Sequence, residues 1–253
     1  MGSGVAGAAD EVVGRAAEAL RRARHVCVLT GAGISAESGI PTFRDALTGL
    51  WAKFSPEELA TPEAFERDPE TVWSWYEWRR QLIREAQPNA GHRALAELAR
   101  RVPGFTLVTQ NVDGLHQRAG SRDVLEYHGN ILRDRCTVEQ IVAQRSEDTR
   151  RAALPRCAAC GGLLRPDVVW FGEAIPAEPM TVAAAAAEEC DVFLSVGTSS
   201  LVYPAAGLAE VALRRRATVI EINPNETDLS PHAHLVLRGP SGQVLPALLE
   251  RIS

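Results

Sequence analysis

The sequence is almost without lysine: Lys53 is the only one, and every other side chain in its Lys+Arg count of 27 is arginine. That bias carries no mechanism by itself. No uninterrupted apolar run approaches the ~20 residues needed to cross a bilayer. The first nine residues are rich in glycine and alanine and lack the basic start and apolar core of a signal peptide, so residues 1–9 are expected to form a flexible tail. Positive charge is not in excess either. The formal net charge of -5 gives no general attraction to nucleic acid or to an anionic membrane. The cysteines are few and odd in number, five in all, which argues against a disulfide framework in a chain without an export signal. Together these absences point to a cytoplasmic protein with neither nucleic acid nor membrane as a partner. They leave the oligomeric state unknown.

What is present is ordinary for a globular chain: 253 residues, 45% hydrophobic and 23% charged, enough for one large domain carrying a small one. Four short apolar runs have the character of buried strands: His25–Thr30, 105–109, Val192–Val196 and Thr218–Ile222. Helical periodicity fills 9–24, 91–101, 181–189 and 205–216. This alternation predicts an α/β fold, a Rossmann-like parallel sheet with helices on both faces. Each strand ends in small or polar residues, and ligands of such sheets bind at those ends. Residues 10–45, 88–130 and 167–253 are assigned to this domain. Two insertions, helical 46–87 and cysteine-bearing 131–166, build a smaller lobe.

Gly31-Ala32-Gly33-Ile34-Ser35-Ala36 fits the pattern G-x-G-x-x-G/A directly after a strand. Such glycines let the backbone approach a dinucleotide pyrophosphate, although a tight structural turn explains them as well. A dehydrogenase would return through a second strand, with an acidic residue about 20 positions on. Here the chain runs instead into Gly39-Ile-Pro-Thr-Phe43-Arg44-Asp45 and the helical insertion.

The stretch from Gly31 to Arg44 resembles the first signature of the sirtuin family. Gln110-Asn111-Val112-Asp113, Tyr127-His128-Gly129, 168–173 (Val-Val-Trp-Phe-Gly-Glu), Gly197-Thr198-Ser199 and Asn223-Pro224 resemble the others, in the family's order. The likeness spans roughly residues 25–248. It implies an NAD-dependent protein-lysine deacylase acting on acyl-lysine proteins or peptides and yielding nicotinamide and O-acyl-ADP-ribose. Any lysine-directed chemistry is then aimed mainly at other proteins.

The resemblance implies that Gly31, Ala32, Gly33 and Ala36 sit on the pyrophosphate, with Phe43 and Arg44 in a loop over it. Gln110, Asn111 and Asp113 would line the nicotinamide and ribose pocket. Gly197, Thr198, Ser199, Asn223 and Asn225 would hold the adenosine end, with Ser241 near the adenine. In the family's chemistry the acyl oxygen attacks the ribose C1′ and a base then deprotonates a ribose hydroxyl. A histidine titrates in the right range for that base, and His128 occupies the family's His-Gly position. His25, His92, His116, His232 and His234 are read as surface or packing residues. Val169, Phe171 and Gly172 belong to an edge segment to which a substrate peptide would add as a strand; an ordinary buried strand is the alternative.

Tyr76 and Arg79 lie three apart on a helix over 70–85 and share a face. The Tyr-x-x-Arg spacing resembles the sirtuin branch that removes acidic acyl groups, which implies desuccinylation and demalonylation with weaker deacetylation. Ala46 lies where a small residue leaves room for the longer chain. Packing of Arg79 among Trp73, Trp75 and Trp78 is the competing reading. Cys157-Ala-Ala-Cys160 is a zinc-knuckle spacing, and the resemblance implies a second cysteine pair. Cys136 begins it, but Glu139 stands where its partner is expected. Three thiolates with Glu139 or water would bind structural zinc; otherwise the lobe folds without metal. Cys27 and Cys190 read as core residues. A protein ADP-ribosyltransferase or a non-catalytic NAD sensor would share the NAD residues. The first would modify its target, and the second would bind NAD without releasing nicotinamide.

Overall fold

The computed structural model describes residues 3–41, 54–144 and 154–252. Phe43, Arg44 and Ala46 lie outside them. Helix α1 (Ser3–Arg22) leads into β1 (His25–Thr30), the one-turn α2 (Gly33–Ala36), α3 (Pro56–Leu59), α4 (Pro62–Arg67), α5 (Pro69–Glu85) and α6 (Ala90–Arg101). Then come β2 (Gly104–Thr109), α7 (Leu115–Arg118), β3 (Leu125–Glu126), β4 (Gly129–Cys136) and β5 (Leu164–Val168). The chain ends with α8 (Ala177–Glu189), β6 (Val192–Val196), α9 (Gly207–Arg214), β7 (Thr218–Ile222), β8 (Leu235–Leu237) and α10 (Ser241–Glu250).

Six strands form one parallel sheet in the order β3-β2-β1-β6-β7-β8. From β1 the chain moves outward on one side and then, after β5, outward on the other. The crevice for a ligand therefore opens between β1 and β6. Both faces of the sheet are covered, which explains the near-continuous apolar strands. Val26, Val28, Leu194 and Ile220 pack with α1, α6 and α10 on one side, and Cys27, Leu29, Phe193 and Val219 pack with α8 and α9 on the other. Cys27 and Cys190 are buried in this second core.

A separate core belongs to the insertions. Leu59, Phe65, Val72, Trp75, Tyr76 and Ile83 of α3–α5 pack against Ile131 of β4, Val168 of β5 and Trp170. Helix α5 starts at Pro69, a favourable first helical residue, and Asp68 caps it by accepting from the Thr71 amide at 3.1 Å. Within this lobe Arg80 is 1% exposed. Its charge is matched by Asp134 at 2.6 Å, by Glu77 at 2.6 Å and by the Ile131 and Arg133 carbonyls.

Two expectations are corrected. Residues 1–9 are not simply a tail, because α1 already begins at Ser3; an alanine-rich stretch favours helix despite its glycines. The alternative of an ordinary buried strand over 168–173 does not extend beyond Val168, where β5 ends. Val169 still donates to the His128 carbonyl in the β4–β5 register, and the following amides leave it, Trp170 donating to the Glu173 carboxylate and Phe171 to the Ala60 carbonyl.

The loops after β1 and β6 interlock through glycine. A Cβ on Gly33 would stand 2.7 Å from the Gly197 carbonyl oxygen, and one on Gly197 would stand 2.4 Å from the Ile34 amide nitrogen. Gly197 also holds a φ of +59°. Gly197→Ala is therefore expected to lower the melting temperature by roughly 5 °C or more and to weaken NAD binding. An unchanged melting curve would show that the interlock yields without cost.

Candidate active site at the carboxyl ends of the strands

Four strand tips are sewn together by side chains. Asn111, after β2, donates to the Gly31 carbonyl at 3.0 Å and to Ser35 Oγ at 3.1 Å. Gln110 donates to Thr198 Oγ1 at 2.9 Å, and Asn223, after β7, donates to the Thr198 carbonyl at 2.9 Å. The Gly31 and Gly33 amides are engaged by the Val196 and Gly197 carbonyls. The two glycines are thus required first by loop packing, whatever they do for a ligand. Ala36 is exposed at the end of α2, and Ser199 is half-buried.

Asp113 is the buried acid of the site. Its Oδ1 accepts from the Leu115 amide at 2.9 Å and its Oδ2 from the Ser35 hydroxyl at 2.7 Å. Burial raises its pKa, and those two bonds pull it back. Because Ser35 gives its only hydrogen to Asp113, His92 must donate from Nε2 to Ser35 Oγ, at 3.4 Å. Its Nδ1 then accepts from the Asn89 amide, also at 3.4 Å, closing a capping box on α6. Burial holds the His92 pKa down to about 4, which fits this neutral form. Behind it lies His116, pushed down to about 3 by burial, with Nε2 at 2.9 Å from Thr30 Oγ1.

His92 and His116 are therefore not surface residues. They are buried supports of the Asp113 wall. The signal for His92 was Asn89 standing three residues before it, a capping-box spacing. No local pattern marked His116.

His128 is half-buried, and its Nδ1 lies 3.1 Å from the Gln110 carbonyl. A carbonyl only accepts, so Nδ1 carries the hydrogen and Nε2 keeps its lone pair. Burial lowers the His128 pKa, partly opposed by that bond. The result is a neutral imidazole presenting a basic nitrogen.

Tyr76 is 2% exposed, and its hydroxyl accepts from Trp170 Nε1 at 2.9 Å. The half-buried Arg79 places its guanidinium carbon 4.8 Å from the Trp75 ring and 5.6 Å from the Tyr76 ring. Burial lowers the Arg79 pKa, and attraction to Tyr76 and Asp113 opposes that shift. Arg79 thus lies within electrostatic reach of the Asp113 wall. Phe171 and Gly172 are exposed, and Val169 is half-buried.

After β7, Asn223 is buried, and its Oδ1 accepts from the Asn225 amide at 3.1 Å. Ser241 opens α10, and its buried Oγ has no partner among the described residues. Side-chain-free loop tips, a buried carboxylate and an unsatisfied hydroxyl along one crevice fit a dinucleotide carrying an amide and an adenosine.

In the small lobe, Cys136, Cys157, Cys160 and Glu139 bring their ligand atoms within 4.8 Å of one another. Two matching turns create this cluster. The Glu139 amide points at Cys136 Sγ, and Gly161 donates back to the Cys157 carbonyl at 2.9 Å. The Cys136 and Cys160 sulfurs are 3.4 Å apart. Among the described residues, the core beneath them holds Cys136, Cys157 and Leu164, with Ala143 against it. Such a small core gains from a metal staple, and three thiolates with one carboxylate fit a structural zinc.

A parallel sheet with a ligand crevice at its switch point, beside a neutral histidine and a buried acid, defines a nucleotide-dependent enzyme. The family model described as Sir2 family matches residues 31–204. The chain belongs to the Sir2 family. The NAD-dependent protein deacylase of Methylococcus capsulatus is 50% identical over 240 residues, covering 92% of this chain and 94% of that protein. The NAD-dependent protein deacylase of Deinococcus radiodurans is 53% identical over 243 residues, covering 93% and 98%. A crystal structure of a Sir2 homologue in complex with NAD matches with a TM-score of 0.88 and 46% identity, over 94% of this chain and 93% of that one. A Sir2 protein bound to a myristoylated histone peptide matches with a TM-score of 0.77 and 35% identity, over 96% and 97%. Among the described residues no helix is long and apolar enough to cross a membrane.

One zinc per chain is expected by elemental analysis. Glu139→Cys is expected to retain the metal at chelator concentrations that strip the native protein, and stripping to lower the melting temperature. Metal-free protein with an unchanged melting curve would refute the staple.

Proposed function

We propose that this NAD-dependent protein deacylase removes succinyl and malonyl groups from lysine side chains in preference to acetyl groups. The observation that carries the preference is Arg79. Its guanidinium carbon lies 4.8 Å from the Trp75 ring and 5.6 Å from the Tyr76 ring, and attraction to Tyr76 and Asp113 opposes the lowering of its pKa by burial. A sheltered guanidinium beside a phenol suits a terminal carboxylate. An acetyl group offers that guanidinium no terminal carboxylate to bind.

Bound NAD⁺ supplies an electrophilic ribose C1′ and nicotinamide as the leaving group. Asp113 accepts from the carboxamide, oriented by Ser35, and Gln110 and Asn111 line the same pocket. Gly31, Ala32, Gly33 and Ala36 take the pyrophosphate, while Gly197, Thr198, Ser199, Asn223, Asn225 and Ser241 hold the adenosine end. His128 accepts a ribose hydroxyl proton at Nε2, its ring held by the Gln110 carbonyl. The substrate peptide lies along Val169, Phe171 and Gly172. Cys136, Cys157 and Cys160, with Glu139, hold zinc away from the chemistry.

His128→Ala is expected to lower turnover by about 10²–10⁴-fold while NAD still binds. Because burial lowers the His128 pKa, the base stays neutral at pH 7. Activity should then fall with acid only below the ordinary histidine value of 6.5. An acid limb above that value would exclude His128 as the titrating group. Peptides carrying acetyl-, malonyl- and succinyl-lysine, assayed with NAD⁺ by mass spectrometry, test the substrate. Arg79→Met should cut kcat/KM for the succinyl peptide far more than for the acetyl peptide. Equal losses would refute the carboxylate clamp. NAD⁺-dependent modification of the peptide without deacylation would indicate a transferase, and binding without nicotinamide release a sensor.

A further inference from the structure

The indole of Trp170 has one hydrogen to give and no lone pair to receive one. Its Nε1 lies 2.9 Å from the Tyr76 hydroxyl oxygen, so the tyrosine is the acceptor. A phenolic hydrogen lies near the ring plane and has two orientations there. A donor occupying one of them leaves the hydrogen the other. Among the described residues the Tyr76 hydroxyl has no other hydrogen-bond partner, although the residue is 2% exposed. A buried phenol with an unmatched hydrogen is costly. Burial also raises the Tyr76 pKa, so the hydrogen stays on.

Trp170 is itself held on several sides. It is 3% exposed, with the Arg165 guanidinium carbon 3.6 Å from its ring centroid and the Phe65 ring at 5.4 Å. Arg165 is paired with both oxygens of Glu173, at 2.5 and 2.7 Å, and Glu173 in turn accepts from the Trp170 amide at 2.8 Å. The residue directly precedes Phe171 and Gly172. One rigid indole thus joins the proposed peptide edge to the helix that carries Tyr76 and Arg79.

We propose that Trp170 is a specificity-determining positioning residue, whose Nε1–H bond turns the Tyr76 hydroxyl hydrogen toward the terminal carboxylate of an acidic acyl-lysine. This assignment rests on the acidic-acyl reading above. Trp170 does not touch the carboxylate; it acts through Tyr76. An acetyl group carries no terminal acceptor, so its turnover gains nothing from the orientation.

The test compares kcat/KM for succinyl- and acetyl-lysine peptides in the wild type, Trp170→Phe, Tyr76→Phe and the double variant. Trp170→Phe should lower the succinyl-to-acetyl ratio by roughly five- to ten-fold, the value of about one neutral hydrogen bond. In the Tyr76→Phe background it should lower the ratio no further. Benzothienylalanine at position 170 keeps the indole shape without the N–H and should reproduce the loss if phenylalanine disturbs packing. A wild type without succinyl preference overturns the acidic-acyl reading and this assignment with it. A succinyl-preferring wild type whose ratio survives Trp170→Phe and benzothienylalanine, or falls equally with Tyr76 absent, overturns the role of Trp170 alone.

Discussion

Everything at the carboxyl edge of the sheet depends on two loops meeting without side chains between them. Gly31 and Gly33 after β1 lie against Gly197 and Thr198 after β6, at distances where a Cβ would collide with backbone. That approach brings the β1 loop under Asn111 and the β6 loop under Gln110. Ser35 is thereby delivered to Asp113, and the Gln110 carbonyl to His128. The glycines therefore create the cradle before any ligand enters it.

The polar wall behind the crevice has a consistent order of hydrogens. Asn111 and His92 donate to Ser35, and Ser35 donates to Asp113, which offers the bond its Oδ2. A buried carboxylate without such donors would protonate. The same economy governs the neighbouring arginines of α5. Arg80 is a buried charge paired with Asp134 and Glu77, whereas the Arg79 guanidinium lies over the Trp75 and Tyr76 rings. Consecutive positions on a helix differ by about 100°, so the two guanidinium groups meet different surroundings.

Much of the fold was legible because β1, β6 and β7 are buried on both faces and read as mostly apolar runs, found at His25–Thr30, Val192–Val196 and Thr218–Ile222. The edge strands β3 and β8 were missed, since two or three residues carry no period. The loop motifs marked the candidate site residues, but spacing alone could not show that the Gly31 and Gly33 amides are already engaged, or that the chain turns away from β4 after Val169. His92 and His116 looked unremarkable because their roles arise from residues 57 and 86 positions away in sequence. The sequence left Glu139 or water as the fourth ligand beside three cysteines, and the fold brings the Glu139 carboxylate among the three sulfurs.

The central claim is that this crevice joins NAD chemistry to recognition of an acidic acyl chain. A direct measurement mixes equal amounts of succinyl- and acetyl-lysine peptides of one sequence with limiting NAD⁺ and resolves the acyl-ADP-ribose products by mass. The expected result is that O-succinyl-ADP-ribose predominates, with nicotinamide released in equal amount to total product. Predominance of O-acetyl-ADP-ribose, or nicotinamide release without either product, would contradict it.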